Sequence, residues 1–233
     1  LTVEYDIRED PPENTDVFRL KASSDGLIER FIRTRFFNVT PTDAKTIAQF
    51  SSGNFRVAIA LAESVRRKGS LAGLSDSELF DRLFWQRHGE DKDLRSAAEV
   101  CALVYSFDGK RDDGELRSLA CLADMSVQKL RRFVSELEKR GLVQKRGVWR
   151  AILPQAIANR LAADALEYVS YESIERQIVA QDPSVIDETR LLRSFSRRLG
   201  YLHDSEEARE IVGQWLSPDG LLGVAPESNR WSL

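Results

Sequence analysis

Apolar and polar positions alternate at period two in Leu1-Thr2-Val3-Glu4-Tyr5-Asp6-Ile7. They do so again in Asp16-Val17-Phe18-Arg19-Leu20, after the turn-rich Asp10-Pro11-Pro12-Glu13-Asn14. Alternation of this kind predicts two short strands. A pair of strands has no protected core of its own, so residues 1–20 are expected to be the edge of a larger sheet from a truncated preceding domain, or else a small hairpin. From Ser24 onward the period becomes helical. Leu27, Ile28, Phe31 and Ile32 share one face of a first helix ending near Asn38. A second starts at Thr40-Pro41-Thr42-Asp43, with threonine as cap and proline in the first helical position. Ser51-Ser52-Gly53-Asn54 interrupts the pattern. A third helix is predicted from Phe55 to about Lys68, where cations and Gly69 close it. Ser75 caps a fourth, from Asp76 to about Gln86, with Leu79, Phe80, Leu83 and Phe84 on one side. Residues 21–91 are therefore expected to be a four-helix bundle.

A different order follows in residues 92–153. Leu94, Ala97, Ala98, Cys101, Ala102, Val104 and Tyr105 predict one amphipathic helix, and Leu116, Leu119, Ala120 and Leu122 a shorter second. Leu130, Phe133, Val134 and Leu137 predict a third helix, entered through the tight turn Ala123-Asp124-Met125-Ser126. After Arg140-Gly141, the segments Leu142–Lys145 and Val148–Ile152 read as two strands around Arg146-Gly147. Helix, short helix, turn, helix and hairpin is the order of a winged helix-turn-helix. Beyond Pro154 the pattern stays helical, with helices expected at about Gln155–Leu166, Ser170–Ala180, Glu188–Leu199 and Ser205–Leu216. Residues 154–233 are expected to be helical hairpins of the kind that stack into repeats. The fold class is mainly α, with two short N-terminal strands and a small hairpin.

Composition narrows the functions. The chain has 34 Lys and Arg against 37 Asp and Glu, a net charge of −3, so no whole-chain field draws it to nucleic acid or anionic membrane. No apolar run approaches the roughly 20 residues that span a bilayer. Cys101 and Cys121 stand far apart without metal-ligand spacing, which fits a reducing cytoplasm and no metal site. A glycine-rich phosphate loop is missing, because Gly109-Lys110-Arg111 lacks the upstream glycine, the hydroxyl residue and a preceding strand. His88 and His203 belong to no catalytic constellation. Charge is local instead: between Ser126 and Arg150 eight cations face Glu136 and Glu138, a net charge of +6. In a DNA-reading winged helix Gln128, Lys129, Arg131, Arg132 and Ser135 would face the major groove, while Lys145 and Arg146 on the wing would reach phosphate.

The turn Gly53-Asn54-Phe55-Arg56 places a cation on the first turn of a helix, where the dipole opposes it. At this turn, and in the order of its modules, the chain resembles the C-terminal part of STAND and AAA+ signal-transduction ATPases. These place a helical lid, a winged helix and helical repeats after a nucleotide-binding core. Many STAND proteins have proline where Phe55 stands, a departure here. The resemblance implies that residues 21–91 are the lid and that Gly53, Asn54 and Arg56 form its phosphate-facing turn, with Arg56 reaching the terminal phosphate of ATP. It implies ATP or ADP with magnesium in a parent ATPase, not an enzyme in this segment. The implied partners are the nucleotide-binding core of the same polypeptide and a protein trigger at the C-terminal helices, with no membrane. Two other readings stay open: a winged-helix DNA-binding transcription regulator, and a helical scaffold that binds neither nucleotide nor DNA.

Overall fold

A computed structural model describes residues 21–86, 89–179, 186–218 and 220–222. The predicted strands of residues 1–20, and His88, lie outside them. The protein is mainly helical with a few short strands, and it divides into two compact units, 1–91 and 92–233.

In the first unit α1 (Asp25–Arg35), α2 (Pro41–Ser51) and α3 (Phe55–Lys68) bury one face each, with Ile28, Ile32, Ile47, Ala58 and Leu61 fully enclosed. Caps set the boundaries: the side chains of Ser24, Thr40 and Asn54 each accept a backbone N–H of the following turn. The fourth helix, α4 (Asp76–Arg82), opens with a reciprocal capping box between Ser75 and Glu78. It stops at Arg82, short of the expected Gln86. Leu83 and Phe84 leave it on tighter turns, their N–H groups bonding Phe80 and Asp81, so both stay buried as the helical pattern required. The backbone then pairs as strand instead, β1 (Trp85–Gln86) running antiparallel to β2 (Gly89–Glu90).

Asp43 joins two parts of this unit. One carboxylate oxygen accepts from Ser70 Oγ (2.8 Å) and the Leu71 N–H (2.7 Å), and the other from Thr40 Oγ1 (2.8 Å). Burial disfavours its charge, yet the bonds from Ser70, Thr40 and Leu71 outweigh that and hold its pKa below the ordinary value. A carboxyl group depressed in the folded state stabilises the fold above its unfolded pKa, and that stabilisation is lost as the pH falls through the folded value. Asp43→Ala is therefore expected to lower stability by about 1–3 kcal/mol near neutral pH, because a buried N–H loses its acceptor. The deficit should shrink below the ordinary carboxylate range, and thermal melts of both forms across acid pH would check this.

The second unit begins with α5 (Lys92–Ala102), followed by β3 (Phe107–Asp108), α6 (Glu115–Leu122), α7 (Val127–Lys139), β4 (Val143–Arg146) and β5 (Trp149–Ile152). The antiparallel sheet runs in the order β3-β5-β4. Helix, strand, helix, helix and hairpin is the expected order with one strand added. The predicted first helix stops at Ala102, because Tyr105 N–H bonds Ser194 O (2.9 Å) and Ser106 N–H bonds Ser194 Oγ (2.8 Å). Those long-range bonds draw the chain out of helix and deliver Phe107 and Asp108, both buried, to the edge of β5. Gly141, at φ +74°, ends α7 as predicted.

Next come α8 (Gln155–Leu166), α9 (Tyr171–Ile174), which widens into a π-helical turn at Glu175–Val179, then α10 (Ile186–Leu199) and α11 (Glu206–Leu216). The expected boundary near Pro154 lies inside this unit, because α8 packs along α5. Arg95 on α5 bonds Glu99 (2.7 Å) and, across the helix pair, Asp164 on α8 (3.1 Å), while Tyr168 Oη donates to Glu99 (2.9 Å).

Candidate functional site

The turn ahead of α3 is built from two successive left-handed residues, Ser52 (φ +46°) and Gly53 (φ +85°). A Cβ at Gly53 would lie 2.6 Å from Ala22 Cβ and 2.8 Å from the Ser23 carbonyl oxygen, and Ser23 N–H bonds the Gly53 carbonyl at 3.1 Å. Gly53→Ala therefore meets both dihedral strain and a clash with backbone. We expect a loss of about 2–3 kcal/mol, read by urea denaturation of the first unit. Asn54 turns its side-chain oxygen onto the N–H groups of Arg56 (2.9 Å) and Val57 (3.4 Å), capping α3. Arg56 is half-buried at the head of the helix. The conformation of Gly53 and the cap of Asn54 are thus both accounted for by the turn itself.

The other predicted residues lie in the second unit, on α7 and the hairpin. The helix buries Leu130, Val134 and Leu137, which turns Gln128, Arg132, Ser135 and Lys139 outward as a single exposed stripe at helical spacing. Lys129 is also exposed but paired, its Nζ 2.7 Å from Asp93. Arg131 is committed more fully. Its guanidinium donates to Asp112 and to the carbonyls of Gly109 (3.1 Å) and Lys110 (2.9 Å), fastening the loop after β3 onto α7. On the hairpin Lys145 (3.9 Å) and Arg150 (3.7 Å) flank Glu138, and Arg140 bonds Glu136 (2.9 Å). Arg146 is half-buried on β4. Two of the eight cations, Lys129 and Arg131, are therefore answered by carboxylates distant in sequence, and Arg140, Lys145 and Arg150 by Glu136 and Glu138 of the same segment.

The loop carrying Gly109-Lys110-Arg111 is closed to anions in the same way. Asp108 accepts from the N–H groups of Lys110 (2.7 Å) and Arg111 (3.4 Å) and from Arg111 Nε (2.9 Å), so its own carboxylate occupies the amides. Burial opposes the charge of Asp108, but the bonds from Lys110 and Arg111 keep its pKa below the usual value. Beneath this loop Glu115, buried at the start of α6, receives Asp108 N–H and two nitrogens of Arg190. The Arg190 guanidinium also lies 4.0 Å from the centre of the Trp149 ring on β5. Asp93, Asp112, Glu115 and Arg190 carry no periodic signature linking them to α7 or the β4–β5 hairpin, and only the fold brings them there.

Among the described residues no group of His, Cys, Asp and Glu is arranged to hold a metal ion, and no helix is long and apolar enough to cross a membrane. His203 is exposed beside Asp204. Cys101 is buried, which pushes its thiol pKa up, and Cys121 is exposed. If nucleotide and magnesium bind in a parent protein, the Gly53–Arg56 turn offers a guanidinium for phosphate, while the described residues offer no acidic cluster for the metal. No family model, curated protein or solved structure matches the chain.

Proposed function

We propose that the chain is the regulatory arm of a nucleotide-dependent switch of the STAND or AAA+ type, with residues 21–91 as lid, residues 92–153 as winged helix and the later helices as trigger contact. The observation that carries this reading is the turn ahead of α3. Because Asn54 already accepts the N–H groups of Arg56 and Val57, a phosphate contact there falls to the guanidinium, which suits bidentate recognition. Internal pairing of Lys129 and Arg131 supports a winged helix that serves protein contacts. The reading requires a nucleotide-binding core N-terminal to Leu1, and a reducing cytoplasm suits the two free thiols.

The test uses the full-length natural polypeptide and fluorescent ATP and ADP. Arg56→Ala is expected to weaken ATP binding by about tenfold or more and to leave ADP affinity nearly unchanged, since a charged hydrogen bond contributes about 1.5–3 kcal/mol. Arg56→Lys should recover only part of it, because a point charge cannot make the two parallel bonds. Unchanged ATP affinity in Arg56→Ala, or no phosphate loop upstream of Leu1, overturns the proposal.

The exposed stripe Gln128, Arg132, Ser135 and Lys139 favours a second reading, a winged helix that reads DNA. It expects duplex binding that weakens steeply with salt and loses affinity when Arg132 and Lys139 become alanine. Absence of binding at low salt would rule it out.

A further inference from the structure

An open groove of about 310 Å³ runs where the end of α8 and the start of α9 meet α11. Buried Leu166, Val169 and Ile211 form its floor, and Glu167, Glu207 and Glu210 stand on its rim. Neither Arg176 nor Arg209, the nearest cations in sequence, lines it. The lining holds three carboxylates, Glu167, Glu207 and Glu210, and no cation; Glu207 accepts from Ser205 Oγ at 2.8 Å, while Asp164, just ahead of the groove, is answered by Arg95. Arg209 turns back along its own helix, donating to the Ser205 carbonyl at 3.3 Å.

Two aromatic rings complete the lining. Tyr168 is 52% exposed, yet its hydroxyl is fixed by the bond to Glu99 (2.9 Å). Tyr171 is fixed by the indole N–H of Trp215, which donates to its hydroxyl at 3.0 Å. Rings held in place beside carboxylates suit a guanidinium or ammonium group, which gains from the ring face and the negative rim together. Holding them before binding lowers the entropic cost of association.

We propose that this groove binds a basic peptide segment of a partner protein, an arginine or lysine lying against the tyrosines between the rim carboxylates while an apolar neighbour rests on the floor. A nucleic acid is repelled by such a rim, and an uncharged apolar segment would strip water from three carboxylates without pairing them. The proposal deepens the trigger contact of the switch reading, and because the binding needs no nucleotide, the two fail separately.

The probe is a short fluorescent peptide alternating arginine with leucine, titrated into the full chain without nucleotide and followed by anisotropy. Saturable binding is expected, weakening with ionic strength and falling by about tenfold in Glu167→Gln/Glu210→Gln, whose side chains are both exposed. The same peptide with glutamate in place of arginine should not bind. Hydrogen exchange should show protection in 166–171 and 207–214. Equal binding to parent and variant, or protection confined to other segments, overturns the proposal. A self-association of the chain that the same two substitutions abolish would assign the groove to a second copy and overturn it equally.

Discussion

Arg198→Leu is expected to destabilise the second unit by about 3–5 kcal/mol, the range for removing one member of a buried charged network. The guanidinium is completely enclosed, and among the described residues its bonds go to carbonyl and amide oxygens and to no carboxylate. Its Nε donates to the Ala102 carbonyl (2.9 Å), and its Nη1 donates to Gln155 Oε1 (2.7 Å) and Asn159 Oδ1 (2.6 Å). The centre of the Tyr105 ring lies 5.6 Å away. Burial pulls its pKa down to about 10, which still leaves it charged at neutral pH. One side chain on α10 thus satisfies the frayed end of α5 and two amides of α8. Leucine would fill part of the volume and leave the buried Ala102 carbonyl without its donor, at about 1–3 kcal/mol before relaxation, and would strip the same donor from two half-buried amide oxygens. Lysine keeps the charge but cannot reach all three in one plane, so Arg198→Lys should recover little. Urea denaturation followed by circular dichroism measures the effect, and a change below about 1 kcal/mol would refute this account.

The second large effect is expected at Arg190, which grips Glu115 through two nitrogens and touches Ser106 through its carbonyl (3.2 Å) and hydroxyl (3.3 Å). Arg190→Ala leaves a carboxylate that is only 5% exposed with the Asp108 N–H as its remaining donor among the described residues. Removing one partner of a buried pair costs about 3–5 kcal/mol. Because the arginine side chain is 28% exposed and water can enter, we expect about 2–3 kcal/mol. Trp149 should report the loss directly, since its ring would lose the guanidinium stacked on it and its fluorescence should change in the native state. A double-mutant cycle with Glu115→Ala isolates the pair, and additive effects of the single changes would refute the coupling.

Both effects fall where the sequence is least readable. The helix caps at Thr40, Ser75 and Ser126 were legible because a cap is a local event: a short side chain accepts an N–H two or three residues ahead, whatever the rest of the chain does. Gly141 and the apolar face of α7 were legible for the same reason, as was the range of α8. The cap of Asn54 in the candidate turn is of this kind too, whereas the close approach of Gly53 to Ala22 and Ser23 is not.

What failed was every feature decided by a distant partner. Helix α5 ends three residues early because Ser194 captures the next amides, and β3 has only two residues, too few to show a period. The charge of α7 looked unopposed because its counter-ions, Asp93 and Asp112, lie 36 and 19 residues away along the chain.

By itself the sequence determined the helical class, the caps, the core faces and the turns that separate them, since each depends on residues within a turn or two of one another. Only the tertiary structure decided where α5 and α4 stop, which cations are answered, and that α10 locks onto the end of α5 through Arg198, onto the segment after it through Ser194, and onto α6 through Arg190. Hydrogen bonds and ion pairs form with whatever the fold brings within about 3 Å, and no local pattern encodes that distance.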